Sequence, residues 1–495
     1  MNNLISPQDY QSLRHKYQQL EPLEKAIVRV LALFHEVVSR TDLVICINHL
    51  HYRDSQGAAF VVATIKPVLE RLQQLGLVEQ RAGVACARAL KEIAIRDALN
   101  SGVYPSLVAV IARILGNRDA KSSPYQIFNN EGEFIREVRM AIYQQDWDLM
   151  QKQFEDFHRY YSWKRHISLD KILLEMVDNP FDIHWVNSLN NQFFERVAQV
   201  KFTHAFNKLL PSEELLVAIK ARIANHQDGT GYLSMLLAQE LCLRGNLTEL
   251  QDLIAILKTK DMASATGEIL MLEGNLACLR GEYNEAIAVY KHALKIIRKL
   301  AHKRGLVLPG MAGVLFALVQ IGQKHALNVE EVEYYLKKSL VDSKDTVFYA
   351  VYEMLYCLWQ WQQGDAQQLE RLHQLCRLDG KEESILFFFK LLCAYWSELD
   401  HKASGINYAQ ELQGRSSRAG YHWWSAEVTE LLNRWGACQP QSYGDLAQNW
   451  RHREKAQTLL DIIQPQRDWE LSLQALLSLA NPEKVETNTV VNKRL

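Results

Sequence analysis

Apolar side chains return every three to four positions along almost the whole chain after Pro22, the stripe that one face of an α-helix leaves in a sequence. Ile65, Val68, Leu69, Leu72 and Leu75 make one such stripe; Tyr283, Ala286, Ile287, Tyr290 and Ala293 make another. Strand-type runs are confined to residues 77–87. The pattern predicts an all-α protein carrying one small hairpin.

Near the N-terminus helices are expected over residues 24–38 and 40–50. A third is capped by Thr64 and stopped by Gly76, a usual residue just past a helix end. LVEQRAGVACA follows, two β-capable runs around Arg81-Ala82-Gly83, which suits a hairpin with a Gly-containing turn. A further helix, about 89–99, leads out. Three helices and a hairpin outline a winged helix, expected over residues 1–116, with 117–133 as a polar connecting segment. Its third helix turns Lys66, Arg71, Gln73 and Gln74 away from the apolar stripe, and Arg81 and Arg88 flank the hairpin. Long polar side chains there reach phosphates and base edges. Yet residues 1–113 hold 13 Lys/Arg against 10 Asp/Glu, with Glu70 and Glu79 amid this surface. DNA-contacting domains are usually more basic, so a winged helix that packs on protein stays equally open.

From residue 134 to 480 the helices come in pairs. In MLEGNLACLRGEYNEAIAVYKHAL, Gly274 precedes Gly281 by seven residues, and Tyr283, Ala286, Tyr290 and Ala293 follow. Small residues where helices cross, Gly at the turn and aromatics between them give the tetratricopeptide spacing. Gly245 with Leu247, Leu250, Ile254 and Leu257 repeats the scheme, as does Gly364 with Ala366, Leu369, His373 and Cys376. Trp147, Met150, Phe154 and Phe157 stand at the same offsets earlier. One pair cannot bury its apolar face alone, so the repeats imply a stacked tetratricopeptide-like α-solenoid, a surface for docking in place of a reaction cleft. The polar tail, 481–495, is expected to fray.

The formal net charge of −1 argues against a polyanion binder over the whole surface, but not against local patches. No basic-then-apolar leader is visible, and the eight cysteines form no CxxC pair, which fits reduced buried thiols and a cytoplasmic location. The uncharged run 305–323 is broken by Pro309 and Gly310 and reads as a buried helix over about 311–321. Val217-Ala218-Ile219-Lys220 spells the kinase lysine motif but lies in a helical pattern without the companion motifs. Gly380-Lys381 and Gly229-Thr230-Gly231 both fail as phosphate loops, and His49-Leu50-His51 has poor geometry for one metal. No catalytic residue, metal ligand set or cofactor is expected.

The second binding candidate is KHALKIIRKLAHKR, where Lys291, Lys295, Arg298, Lys299, Lys303 and Arg304 have no acid among them. Six cations exceed what a helix C-terminus needs for its dipole and suit the backbone of a nucleic acid or an acidic partner. Tryptophans crowd the C-terminal half (359, 361, 396, 423, 424, 435, 450, 469), mostly as expected core, with any exposed ones able to anchor a partner.

LRGEYNEAIAVYKHALKIIRKLAHKRGLVLPGMAGVLFALVQI resembles the region ahead of the motor in large bacterial Swi/Snf-type helicase-like ATPases. QRDWELSLQALLSLA is similar to the helix before their motor, and NKRL to the strand entering it, so the resemblance spans roughly 230–495. The chain lacks every helicase motif. The resemblance implies an accessory module beside a double-stranded DNA translocase, in a defence or genome-maintenance setting, with a protein or motor as partner. An adaptor without nucleic acid and a ligand-responsive transcription regulator remain the alternatives.

Overall fold

The computed structural model describes residues 7–463 except 81, 120–127, 129, 162–166, 179–180, 230, 260–265, 324–327, 379–382, 398–403 and 438–439. The fold is all-α apart from one two-stranded hairpin among these residues. Two compact units divide it, Met1–Lys201 and Phe202–Leu495.

The first unit runs α1 (Pro7–Gln18), α2 (Pro22–Phe34), α3 (Arg40–His49), α4 (Val62–Gln74), β1 (Val78–Gln80), β2 (Val84–Cys86), α5 (Lys91–Asn100), α6 (Tyr104–Asp119), α7 (Glu131–Tyr143), α8 (Trp147–Tyr160), α9 (Leu169–Val177) and α10 (Ile183–Ser188); α11 (Asn191–Lys208) contains the division. Helices α7 to α10, which the sequence groups with the repeats of 134–480, fall in this first unit. Buried apolar residues make α2 the centre of its core, packed on α3, α5, α6 and β2. Glu21 and Glu24 close a capping box at its start. The helix ends four residues short of expectation, because His35 turns left-handed at φ 62°. Val38 is thereby freed to pair with Val84 through two N–H···O bonds of 2.8 Å, adding a third strand position to the hairpin. A Cβ on Gly83 would stand 2.5 Å from the Val38 carbonyl oxygen, so only glycine admits this pairing. Thr64 does not cap α4 as expected. The helix starts three residues earlier, and the Thr64 hydroxyl accepts the Val61 N–H at 2.9 Å from the third helical position.

Charges are buried in this unit and are paired there, as low-dielectric surroundings require. Glu92 meets Arg139 and the Tyr143 hydroxyl; Arg136 reaches Glu36, Glu133 and Glu137; Arg96 donates to the Met176 carbonyl and lies over Trp185. His35 is held in the neutral form well below the usual imidazole range, chiefly by burial and then by Arg139, Lys91, Arg88 and Arg136 nearby. Its carbonyl meanwhile takes a 2.9 Å bond from Lys91. The unfolded imidazole gains a proton below about pH 6.5 and the folded one does not, so stability falls as acidity rises, by about 1.4 kcal/mol at pH 5.5. His35→Asn, which tolerates the left-handed backbone, is expected to flatten that slope in urea melts at pH 5.5 and 7.5. An unchanged slope would clear His35 of the effect.

The second unit comprises α12 (Glu213–Ala224), α13 (Tyr232–Arg244), α14 (Leu247–Thr259), α15 (Thr266–Leu279), α16 (Tyr283–Leu300), α17 (Gly310–Gly322), α18 (Val329–Asp342), α19 (Phe348–Gln362), α20 (Gln367–Leu375), α21 (Ser384–Trp396), α22 (Ser404–Arg418), α23 (His422–Arg434), α24 (Gln441–Glu454) and a 3-10 turn, Leu459–Asp461. The repeat glycines do what their spacing implies. Gly245, Gly281 and Gly364 have φ of 78°, 78° and 102°, each just past the first helix of a pair. At Gly245 the next N–H, Asn246, returns to the Leu241 carbonyl, and Glu282 to Ala277 and Asp365 to Gln360 repeat the closure. Within the pair α15–α16, a Cβ on Gly274 would lie 2.5 Å from the Tyr290 ring, whose hydroxyl donates to Asn275 Oδ1 at 2.7 Å. Small residue and aromatic are therefore two halves of one helix crossing.

The helices divide into two kinds. α13, α15, α17, α19 and α21 are buried over much of their circumference, α17 along nearly its whole length, whereas α14, α16, α18 and α20 bury one stripe. The first kind pack in succession, α13 on α15, then α17, α19 and α21, and α23, also buried on several sides, joins α21 back to α13. The solenoid-like stack thus closes into a ring of six inner helices. Arg244 fastens the closure: buried at the end of α13, it donates to Glu240 at 2.7 Å, Glu213 at 2.8 Å and Ser212 at 2.6 Å, and lies over the Tyr421 ring at the start of α23.

Candidate nucleic-acid interface

α4 carries Lys66, Arg71, Gln73 and Gln74 on its exposed side, opposite buried Ile65, Leu69 and Leu72, as the stripe requires. Each described cation there arrives with an acid. Lys66 Nζ is 3.8 Å from Glu70, Arg71 Nε 3.3 Å from Glu24, and Arg88, after β2, 3.6 Å from Glu175. Arg81 lies outside the described residues. The first turn of α4 bears no charge and exposes Val61 (54%) and Val62 (40%), where a helix entering a groove would present polar side chains.

The end of α16 is built differently. Lys291 Nζ stands 2.9 Å from Glu331 on α18, and Arg298 Nε donates to the Leu306 carbonyl at 2.8 Å, tying down the following loop. Lys295, Lys299, Lys303 and Arg304 are exposed, and among the described residues none has a carboxylate within 4.0 Å. Lys295 and Lys299 share a helix face, four residues apart. Ala301 and His302 then wrap the chain, with His302 at φ 51° and the Lys303 N–H returning to the Arg298 carbonyl at 3.2 Å. That wrap carries Lys303 and Arg304 past the last turn, where the helix dipole also favours positive charge. Of the eleven candidate side chains among the described residues, the structure leaves these four as cations that a polyanion meets without first displacing a partner.

Elsewhere the titratable groups serve packing. Burial pushes the Cys242 thiol up to about 12, keeping it protonated and unreactive, and the seven described cysteines are all buried and unbonded to one another. Val217–Lys220 is helical, with Val217 exposed and Lys220 paired to Glu249 at 2.6 Å, so the kinase-like spelling holds no phosphate strand. Among the described residues no group of three or more His, Cys, Asp or Glu is placed to hold a metal, and no helix is long and apolar enough to cross a membrane. The segments 466–480 and 492–495, which carry part of the motor resemblance, lie outside the described residues. Sequence reasoning missed the buried charges Arg244, which closes the ring, Glu427, which holds residues 451–459, and Glu454, which meets the start of α14; the available signal was Glu427 among Trp423, Trp424, Val428 and Leu431 on a core helix.

No protein-family model matches this chain. No curated protein matches it. The fold is similar to the crystal structure of a signal transduction ATPase with numerous domains and a tetratricopeptide repeat sensor from Pyrococcus horikoshii, at 15% identity and a TM-score of 0.31, over 92% of this chain and 66% of that one.

Proposed function

We propose that the chain is a non-catalytic recognition and regulatory module that works beside a DNA-handling motor, contacting duplex backbone through the end of α16 and protein through its helical repeats. The observation that carries this reading is the set of four exposed, unneutralised cations, Lys295, Lys299, Lys303 and Arg304. The motor resemblance around the same residues supports it. Helices α2 to α4 with the β1–β2 hairpin and Val38 make the winged helix of this proposal, and we assign that element to protein packing. Its candidate cations Lys66 and Arg71 are paired with Glu70 and Glu24, Arg88 with Glu175 of α9, and Val61 and Val62 offer an apolar edge.

Duplex binding followed by fluorescence anisotropy between about 50 and 200 mM salt tests this. Changing all four cations to Gln is expected to flatten the log-affinity slope by about 3 to 4, near 0.9 per phosphate contact released. Lys66→Gln with Arg71→Gln should leave affinity within about twofold, the scale of exposed ion pairs. No binding of any duplex at low salt would leave the adaptor reading, which the neutralised α4 surface favours.

A further inference from the structure

Residues 455–463 cross the second unit at the end where its inner helices stop. Gln457 N–H donates to the Leu279 carbonyl at the end of α15, at 2.9 Å. The Leu460 carbonyl accepts the Trp396 indole N–H at the end of α21, at 3.2 Å. Ile462 lies against Gly322, the last residue of α17, whose missing Cβ leaves it room. Asp461 meets Arg434 at the end of α23, at 2.8 Å. Before them Trp450 donates to the Gly245 carbonyl at 2.9 Å, and Glu454 accepts the Thr248 N–H at the start of α14, at 2.8 Å.

The grip is that of a receptor on a peptide. Glu427 is wholly buried in α23, and its carboxylate takes the Thr458 hydroxyl and the Leu459 N–H, each at 2.9 Å, with Arg451 at 3.1 Å. Leu459 and Leu460 are 1% and 0% exposed. The segment itself has little internal structure: Lys455 is left-handed at φ 54°, and one short turn follows. Side chains and helix ends hold it, so letting go breaks no helix.

We infer that this end of the ring is a peptide-binding surface, occupied in cis by residues 455–463 and open to a partner segment of the same chemistry: a Thr or Ser followed by two large aliphatic residues. The cis segment is then a releasable plug that sets the threshold for the partner. The protein contact proposed above gains a place and a chemistry from this, while the DNA contact is independent of it, so the salt experiment and the one below fail separately.

Native-state hydrogen exchange on the full chain reads the plug directly. The amides of Gln457 and Leu459 are expected to exchange at least tenfold faster than those of α15 and α17, through an opening that leaves the ring protected. Thr458→Val, which removes one bond to a buried carboxylate, should speed them about tenfold more. A labelled peptide spanning 455–463 should bind the Thr458→Val chain, and the same peptide with Val for Thr should bind it about tenfold less tightly. Exchange of these amides only together with α15 and α17 in the unaltered chain would overturn the plug, even if the variant fails to fold. Free opening without capture of the peptide would overturn the binding surface.

Discussion

Gly313→Ala is expected to destabilise the second unit by about 2 to 3 kcal/mol, although alanine usually improves a helix by about 1 kcal/mol over glycine. The reason is what surrounds residue 313. A Cβ there would press on the Leu308 carbonyl oxygen and the Tyr352 hydroxyl, well inside contact distance. Leu308 belongs to the entry into α17 and is 1% exposed, and Tyr352 is a 2% exposed member of α19, so neither end of the collision is a free side chain. The inner helix would have to move away from its neighbour in the ring or surrender its first turn. At about 2 °C per kcal/mol for a unit of this size, the melting temperature should fall by roughly 5 °C. Gly444→Ala in α24 is the control: nothing stands within 4 Å of its Cβ position, and the helix term alone predicts a gain. If both substitutions shift stability in the same direction, the close approach at Gly313 is not what fixes α17.

The same run, LPGMAG, was legible in the sequence as the start of a buried helix, and the reason is plain from α17. A helix surrounded by others bears few charges, since each must be paired, so a long uncharged stretch betrays it. The repeat turns were legible for a comparable reason, since a left-handed residue past a helix end without Cβ strain means glycine. What could not be read were boundaries set by other residue types. His35 ends α2 without a glycine to announce it, and Val38 joins the hairpin as a single residue, too short to show a period. Ring closure was invisible because its contacts join distant positions: the Tyr421 hydroxyl reaches Glu240, 181 residues away. At the candidate interface the positive run was legible, but its effective charge was not. Glu331, which neutralises Lys291, lies 40 residues on, and Glu175 answers Arg88 from another helix. A sequence counts cations, whereas a partner meets only those the fold leaves unpaired.

Arg244→Ala is expected to cost about 3 to 5 kcal/mol, the range for removing one member of a buried ion pair, because Glu240 would be left behind at 2% exposure. The guanidinium also fills the space beside Gly420, where a Cβ would lie 2.7 Å from its Nη1, and it lies over Tyr421. Its loss therefore loosens the joint between α13 and α23. Packing and charge can be told apart by pH. Burial already pushes the Glu240 carboxyl up, with Arg244 the main restraint, so the variant's folded state should hold its proton to still higher pH. A folded pKa raised above the unfolded one favours the native state at low pH, and that advantage is lost as pH rises through the folded value. The deficit of Arg244→Ala should accordingly be largest near pH 7.5 and shrink toward pH 5 in urea melts. Adding Glu240→Gln, which removes the stranded charge, should recover the pH-dependent part and leave the cost of the lost contacts. A deficit equal at both pH values, unmoved by Glu240→Gln, would mean that Arg244 closes the ring by its shape alone.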